Sequence, residues 1–154
     1  MADEIIEWEY RFSLGIPIID KQHQQLVALT NKLYSACLLD SASMRQQFKQ
    51  TMHEAVDYVR YHFSTEEKLM ALLEFTGTDE HKKQHENFVR EVLQTVKDFE
   101  GGKQFVPNTL VRYLREWIFS HIAVYDKRLA EYVQNAKKTG KVDEMLKNFT
   151  AVQK

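Results

Sequence analysis

Proline and glycine are scarce in this chain, two and five among 154 residues. Turns draw on these residues for backbone angles that others resist, so the long stretches without either must be regular. Helix formers fill them and strand-like alternation is rare, which excludes a β-rich fold. There is one cysteine, Cys37, hence no internal disulfide and no argument for an oxidising compartment. No apolar run approaches the roughly 20 residues of a membrane span. The first residues, Met1 to Trp8, carry acids where a signal peptide carries bases. A net charge of −1 offers no basic footprint for nucleic acid or an acidic membrane. These absences lead to the expectation of one cytoplasmic all-α domain over residues 1–154, without nucleic-acid or membrane partners. The length suffices to bury a real core.

What is present divides into an arm, four helices and a tail. Residues 1–19 read as an arm packed along the helices, because Trp8, Tyr10, Phe12, Leu14, Ile16, Ile18 and Ile19 are too many large apolar groups to leave in water. Asp20 is the expected N-cap of a first helix over about 21–38, with Leu26, Leu29, Leu33 and Cys37 as its apolar side. A second helix is expected from Ser43, where Ser43 and Gln46 fit a capping box, to about Leu73. A turn around Gly77 precedes a third, about 79–99, capped by Thr78 or Asp79 and ended by Gly101 and Gly102. Pro107 opens a fourth, about 107–138. The tail, 139–154, adds a short helix with Val142, Met145, Leu146 and Phe149 as its apolar side. Short connections between four helices imply an antiparallel up-down-up-down four-helix bundle over residues 20–138, with the N-terminal arm and the short C-terminal helical extension added to it.

Inside the apolar stripes stand polar residues that do not belong in an ordinary core. His62 and Glu66 are four apart within the stripe Met52, Ala55, Val59, His62, Glu66, Leu69, so both face inward. A buried His and Glu need partners. The matching pieces are His23, one turn before Leu26; His81 and His85, again four apart; and His121 with Asp126. In an antiparallel bundle His23 and His81, near the starts of their helices, meet His62 and His121, which lie past the middles of theirs. Five imidazoles and two carboxylates at one end of a core suit two metal ions; the donor types admit several divalent metals. His53 lies nine residues before His62, about half a turn around the helix, and is expected outside the set. His121 and Asp126 are five apart, roughly 140° on an ideal α-helix. Either both reach inward from opposite sides of the stripe, or a local π-bulge brings them onto one face.

The motifs D-K-Q-H-Q-Q-L (Asp20 to Leu26), H-F-S-T-E-E (His62 to Glu67), H-K-K-Q-H (His81 to His85) and H-I-A-V-Y-D (His121 to Asp126) together resemble the bacterial hemerythrins, over nearly all of residues 8 to about 133. One departure is Phe75-Thr76, where the family often has Tyr-Pro; it touches a turn and no ligand. The resemblance implies a non-haem di-iron site, with His81, His85 and His121 on one iron and His23 and His62 on the other. Glu66, Asp126 and an oxo or hydroxo group would bridge the two ions (Fe2+/Fe3+). It implies reversible binding of molecular oxygen at the open position of the second iron, in a pocket that Leu26, Phe63, Trp117 and Ile118 match by position.

Storage, delivery or sensing of oxygen is the function so implied, with an unidentified oxygen-using or redox protein as a possible partner. A sensor usually needs an attached output domain, and no room for one is expected in these 154 residues, so storage or delivery is the preferred expectation. A di-iron enzyme reducing peroxide or nitric oxide is the alternative, but no further acid–base pair or substrate pocket is visible. An iron-handling or redox-sensing protein is the third reading.

Overall fold

The computed structural model describes residues 4–103, 106–138, 140 and 142–153. Its helices are α1 (Pro17–Cys37), α2 (Ser41–Leu72), α3 (Thr78–Glu100), α4 (Val106–His121), α5 (Lys127–Lys137) and α6 (Val142–Gln153). A π-helical turn, Ile122–Asp126, joins α4 to α5, and the backbone stays helical at both junctions, with φ −65° at His121 and −64° at Lys127. α1 packs against α2 and α4, and α3 against α2 and α4, which closes the expected up-down-up-down bundle.

The helix starts differ from those read off the sequence, because the polar groups there find other partners. Asp20 does not cap α1. Pro17 lies at the helix start, where its missing N–H costs nothing. Asp20 instead reaches back to the arm and accepts the Leu14 N–H at 2.7 Å, the Ser13 hydroxyl at 2.9 Å and the Gly15 N–H at 3.2 Å. Asp40, not Ser43, caps α2: its carboxylate accepts the Ser43 N–H at 3.1 Å. Gly77 occupies the cap position of α3 without a side-chain bond, while the Thr78 hydroxyl donates to the Phe75 carbonyl at 2.6 Å. A Cβ on Gly77 would stand 2.7 Å from the Phe75 ring. That ring also packs on Tyr132, with centroids 5.2 Å apart, so the turn that departs from the family is held by aromatic contact and needs a glycine beneath it.

Two apolar cores result. One gathers Ile6, Leu33, Phe48, Met52, Phe88 and Leu110 toward the loop end between α1 and α2. The other gathers Ile16, Ile19, Leu69, Met70, Leu129 and Val133 toward the opposite end. On α6, Val142 and Phe149 are buried in this second core, and Met145 and Leu146 pack against it, as the tail's pattern predicts. Between the two cores, on every main helix, lie the polar residues singled out above.

The arm packs along the bundle. Ile6, Phe12 and Ile16 are buried, and the Phe12 ring lies 5.1 Å from Phe119 of α4. Tyr10 is the exception: it is 91% exposed, because the single 3-10 turn Tyr10–Phe12 sends Phe12 inward and Tyr10 out. Cys37 is half-buried rather than fully in the core, and burial pushes its thiol up to about 11.

One side chain pins the arm. Asn31 Oδ1 accepts the N–H groups of Ile5 and Ile6, both at 2.9 Å, and its Nδ2 donates to the Ile6 carbonyl at 2.8 Å. Asn31→Ala leaves these part-buried backbone groups without partners, so we expect a loss of about 1–3 kcal/mol in urea unfolding. Limited proteolysis should cut within residues 4–14 first; an unchanged midpoint and cutting pattern would show that Asn31 does not hold the arm.

Candidate metal centre

Seven side chains from all four main helical rods meet between the two cores. α1 contributes His23 and α2 contributes His62 and Glu66, one turn apart. α3 contributes His81 and His85, also one turn apart; His121 ends α4 and Asp126 ends the π-helical turn. None is more than 3% exposed. The π turn settles the alternative left open by the five-residue spacing. With i→i+5 bonding, His121 and Asp126 fall on one inward face, and their Nε2 and Oδ1 atoms are 3.0 Å apart.

The carboxylates divide their oxygens. Glu66 Oε1 lies 3.3 Å from His23 Nε2 and 3.0 Å from His62 Nε2. Its Oε2 lies 3.2 Å from His81 Nε2, 3.1 Å from His85 Nε2 and 4.0 Å from His121 Nε2. Asp126 divides likewise, with Oδ2 3.0 Å from His23 Nε2 and Oδ1 3.0 Å from both His81 and His121 Nε2. The site is thus two overlapping groups. Glu66, His81, His85, His121 and Asp126 form one; His23, His62, Glu66 and Asp126 form the other. Both carboxylates belong to both.

Two observations test whether this donor set fits metal ions. Both Asp126 oxygens are buried without an aligned hydrogen bond, although imidazole nitrogens stand 3.0 Å from them. Near neighbours that are not aimed at each other are what donors converging on a common third point look like. Imidazole nitrogens also crowd one another: His121 Nε2 is 3.1 Å from His81 Nε2 and 3.2 Å from His85 Nε2. His121 Nε2 offers one proton or one lone pair, so it can pair with only one of the two at that separation. The separation is roughly the edge of an octahedron whose metal–nitrogen bonds are about 2.1 Å.

Electrostatics point the same way. Burial pushes His23, His62, Glu66, His81, His121 and Asp126 toward their neutral forms, yet neighbours hold all of these but His62 toward the charged form. Burial lowers the His23 pKa, but the adjacent Asp126 and Glu66 outweigh it and raise it to about 10. The same balance brings His81 to about 9 and raises His121. Burial would raise both carboxyls, but the surrounding imidazoles hold Glu66 well below its ordinary value and Asp126 below its own. At His62 burial wins and the pKa falls. Two buried anions therefore hold positive charge around them, as protons or as metal ions in their place.

His53 lies outside the set, as its helical phase predicts. It is exposed and 3.5 Å from Glu100. The aromatic side chains singled out in the sequence flank the ligands: Phe63 stacks on His85 at 3.8 Å and Trp117 on His121 at 4.2 Å. Leu26 and Ile118 are buried in the adjoining core. Phe63 and Trp117 therefore lie flat against ligands of the five-residue group. The sequence reading missed the supports behind the imidazoles. His85 Nδ1 is 3.1 Å from Glu67 Oε1, and His62 Nδ1 is 2.7 Å from Gln22 Oε1. Both supports neighbour a ligand in the chain, Gln22 beside His23 and Glu67 beside Glu66, and that adjacency was their one visible signal.

Residues 14–133 match the hemerythrin HHE cation binding domain. The chain belongs to this family. Relatives of the hemerythrin type span most of its length. A bacteriohemerythrin of Stenotrophomonas maltophilia is 29% identical over 130 residues, covering 84% of this chain and 82% of the relative. One of Pseudomonas aeruginosa is 29% identical over 150 residues, covering 92% and 95%. A crystal structure of wild-type hemerythrin superposes with a TM-score of 0.74 at 26% identity, covering 80% of this chain and 93% of that one.

Glu66 offers an oxygen to both groups, so its loss should be felt by both. We expect Glu66→Ala to lose both metals or to keep a badly altered site, read as metal per chain after gel filtration. His53→Ala should match the parent protein. Full metal content in the first variant, or loss in the second, would contradict the site as drawn.

Proposed function

We propose that this hemerythrin-family chain binds molecular oxygen reversibly at two iron ions held by His23, His62, Glu66, His81, His85, His121 and Asp126, and that it stores or delivers oxygen. The observation that carries this reading is the division of each carboxylate, one oxygen to each group of imidazoles. A pair of ferrous ions so held would supply two electrons to bind oxygen and recover them on its release.

The chain's own residues favour binding over turnover. Imidazoles outnumber carboxylates five to two in the donor set, whereas carboxylate-rich di-iron bundles use four Glu and two His. Fewer anionic donors stabilise high oxidation states less, and oxidation of a substrate needs those states. The group containing His23 and His62 has four protein residues against five in the other, so it is the side left to oxygen. Leu26, Phe63, Trp117 and Ile118 are the proposed walls of the oxygen pocket; Phe63, stacked on His85, also reaches the other side, its ring 5.9 Å from that of His62. Leu26, Phe63 and Ile118 are buried apolar side chains, which keep out the water and protons that would discharge bound oxygen as peroxide. No helix among the described residues is long and apolar enough to cross a membrane. A cytoplasmic place of action is part of the proposal, with the lone thiol of Cys37 as its support.

The test is an optical cycle. Protein loaded anaerobically with ferrous iron and exposed to oxygen should gain a visible charge-transfer band. That band should vanish under argon and return with oxygen over several rounds. One-way conversion to a stable oxidised form, or steady consumption of peroxide or nitric oxide with a reductant, would instead make the chain an enzyme or a redox sensor.

A further inference from the structure

Each imidazole of the centre turns Nε2 toward the carboxylates and must place its outer nitrogen, Nδ1, elsewhere. Those of His23, His81 and His121 are buried with no hydrogen-bond partner among the described residues. His62 and His85 have partners of different kinds. His85 meets Glu67, an anion about a third exposed. His62 meets the neutral amide of Gln22, which is 4% exposed.

The amide is itself held, and the directions of the bonds are forced. The Thr65 hydroxyl lies 3.0 Å from the Tyr61 carbonyl, which can only accept, so the hydroxyl donates to it. The hydroxyl's lone pair then accepts from Gln22 Nε2 at 3.2 Å. That places Gln22 Oε1 against His62 Nδ1, at 2.7 Å. A carbonyl oxygen accepts only, so Nδ1 carries the proton. The neutral ring then has its lone pair on Nε2, 3.0 Å from Glu66 Oε1. A backbone carbonyl thus sets, through Thr65 and Gln22, the one tautomer of His62 that can ligate a metal on the inner side.

We propose that Gln22, anchored by Thr65, is the positioning residue for His62, and that its neutrality tunes the metal on the His23–His62 side. A carboxylate behind a ligating imidazole increases the ring's donor strength. Glu67 does so for the five-residue group. Gln22 orients His62 without that added negative charge, which leaves the oxygen-facing metal the weaker-supported of the two and favours its lower oxidation state. The proposal rests on the two-metal reading above.

Zinc, which has no redox chemistry of its own, is the probe that separates the two ideas. Wild-type protein should take up two zinc ions per chain, and nitrogen-15 NMR should show His62 protonated at Nδ1. Gln22→Leu should weaken one of the two zinc ions by roughly 10–100-fold in chelator competition and leave the other unchanged. Thr65→Val keeps the side-chain volume and removes the anchor; it should weaken the same ion, and serves where Gln22→Leu does not fold. Gln22→Glu keeps the acceptor for His62, with the Thr65 hydroxyl turned to donate to the new carboxylate, and should restore the affinity while lowering the midpoint potential of the iron-loaded protein below wild type. A merely structural role would not move that potential. Two zinc ions in wild type, with both equally tight in Gln22→Leu or in Thr65→Val, would overturn the role of Gln22 alone. So would a Gln22→Glu protein with the wild-type potential. Fewer than two zinc ions in wild type would overturn the two-metal reading and this proposal with it.

Discussion

Two carboxylates buried at the middle of a helical bundle are what the rest of this structure answers to. Glu66 and Asp126 are at most 1% exposed, and an unpaired charge so placed costs several kcal/mol. The cost is tolerable where positive charge surrounds each carboxylate on both sides. Of the five imidazoles around them, His23, His81 and His121 are held toward the charged form, and the whole set interrupts the apolar interior. That is why there are two cores rather than one, with the polar layer between them. The aromatic side chains are placed by the same demand. Phe63 and Trp117 lie flat on His85 and His121, filling the space beside rings that cannot turn without losing their aim at the carboxylates.

The π-helical turn belongs to this balance. An unbroken α-helix would place His121 and Asp126 roughly 140° apart, and the second shared carboxylate would be lost. One turn of i→i+5 bonding re-aims Asp126 while α5 continues onto the second core through Leu129 and Val133. A local irregularity of the backbone is thus tied directly to the membership of Asp126 in both groups of donors.

The bundle and its inward-facing candidate donors were legible because both follow helical period. His62 with Glu66, and His81 with His85, repeat at four residues inside apolar stripes, and antiparallel packing brings them to one level. His121 with Asp126 announced a departure from the α-helix without selecting its form. The helix starts were less legible. A carboxylate such as Asp20 caps whichever backbone N–H groups tertiary packing brings near, and here those belong to the arm. Tyr10 was misjudged because one 3-10 turn reverses the side on which neighbouring residues fall. Gln22 offered only its place beside His23 as a signal. A glutamine on a helix is unremarkable in sequence, and its partners His62 and Thr65 lie some forty positions away.

Oxygen chemistry, metal preference and tautomer control all presuppose that Glu66 and Asp126 each join two ions. The most direct test is anomalous X-ray diffraction from crystals of the iron-loaded protein, collected on either side of the iron edge. Two peaks per chain are predicted, one beside His81, His85 and His121 and one beside His23 and His62, with Glu66 and Asp126 each touching both. A single peak, or two peaks with either carboxylate turned away from one of them, would contradict the account.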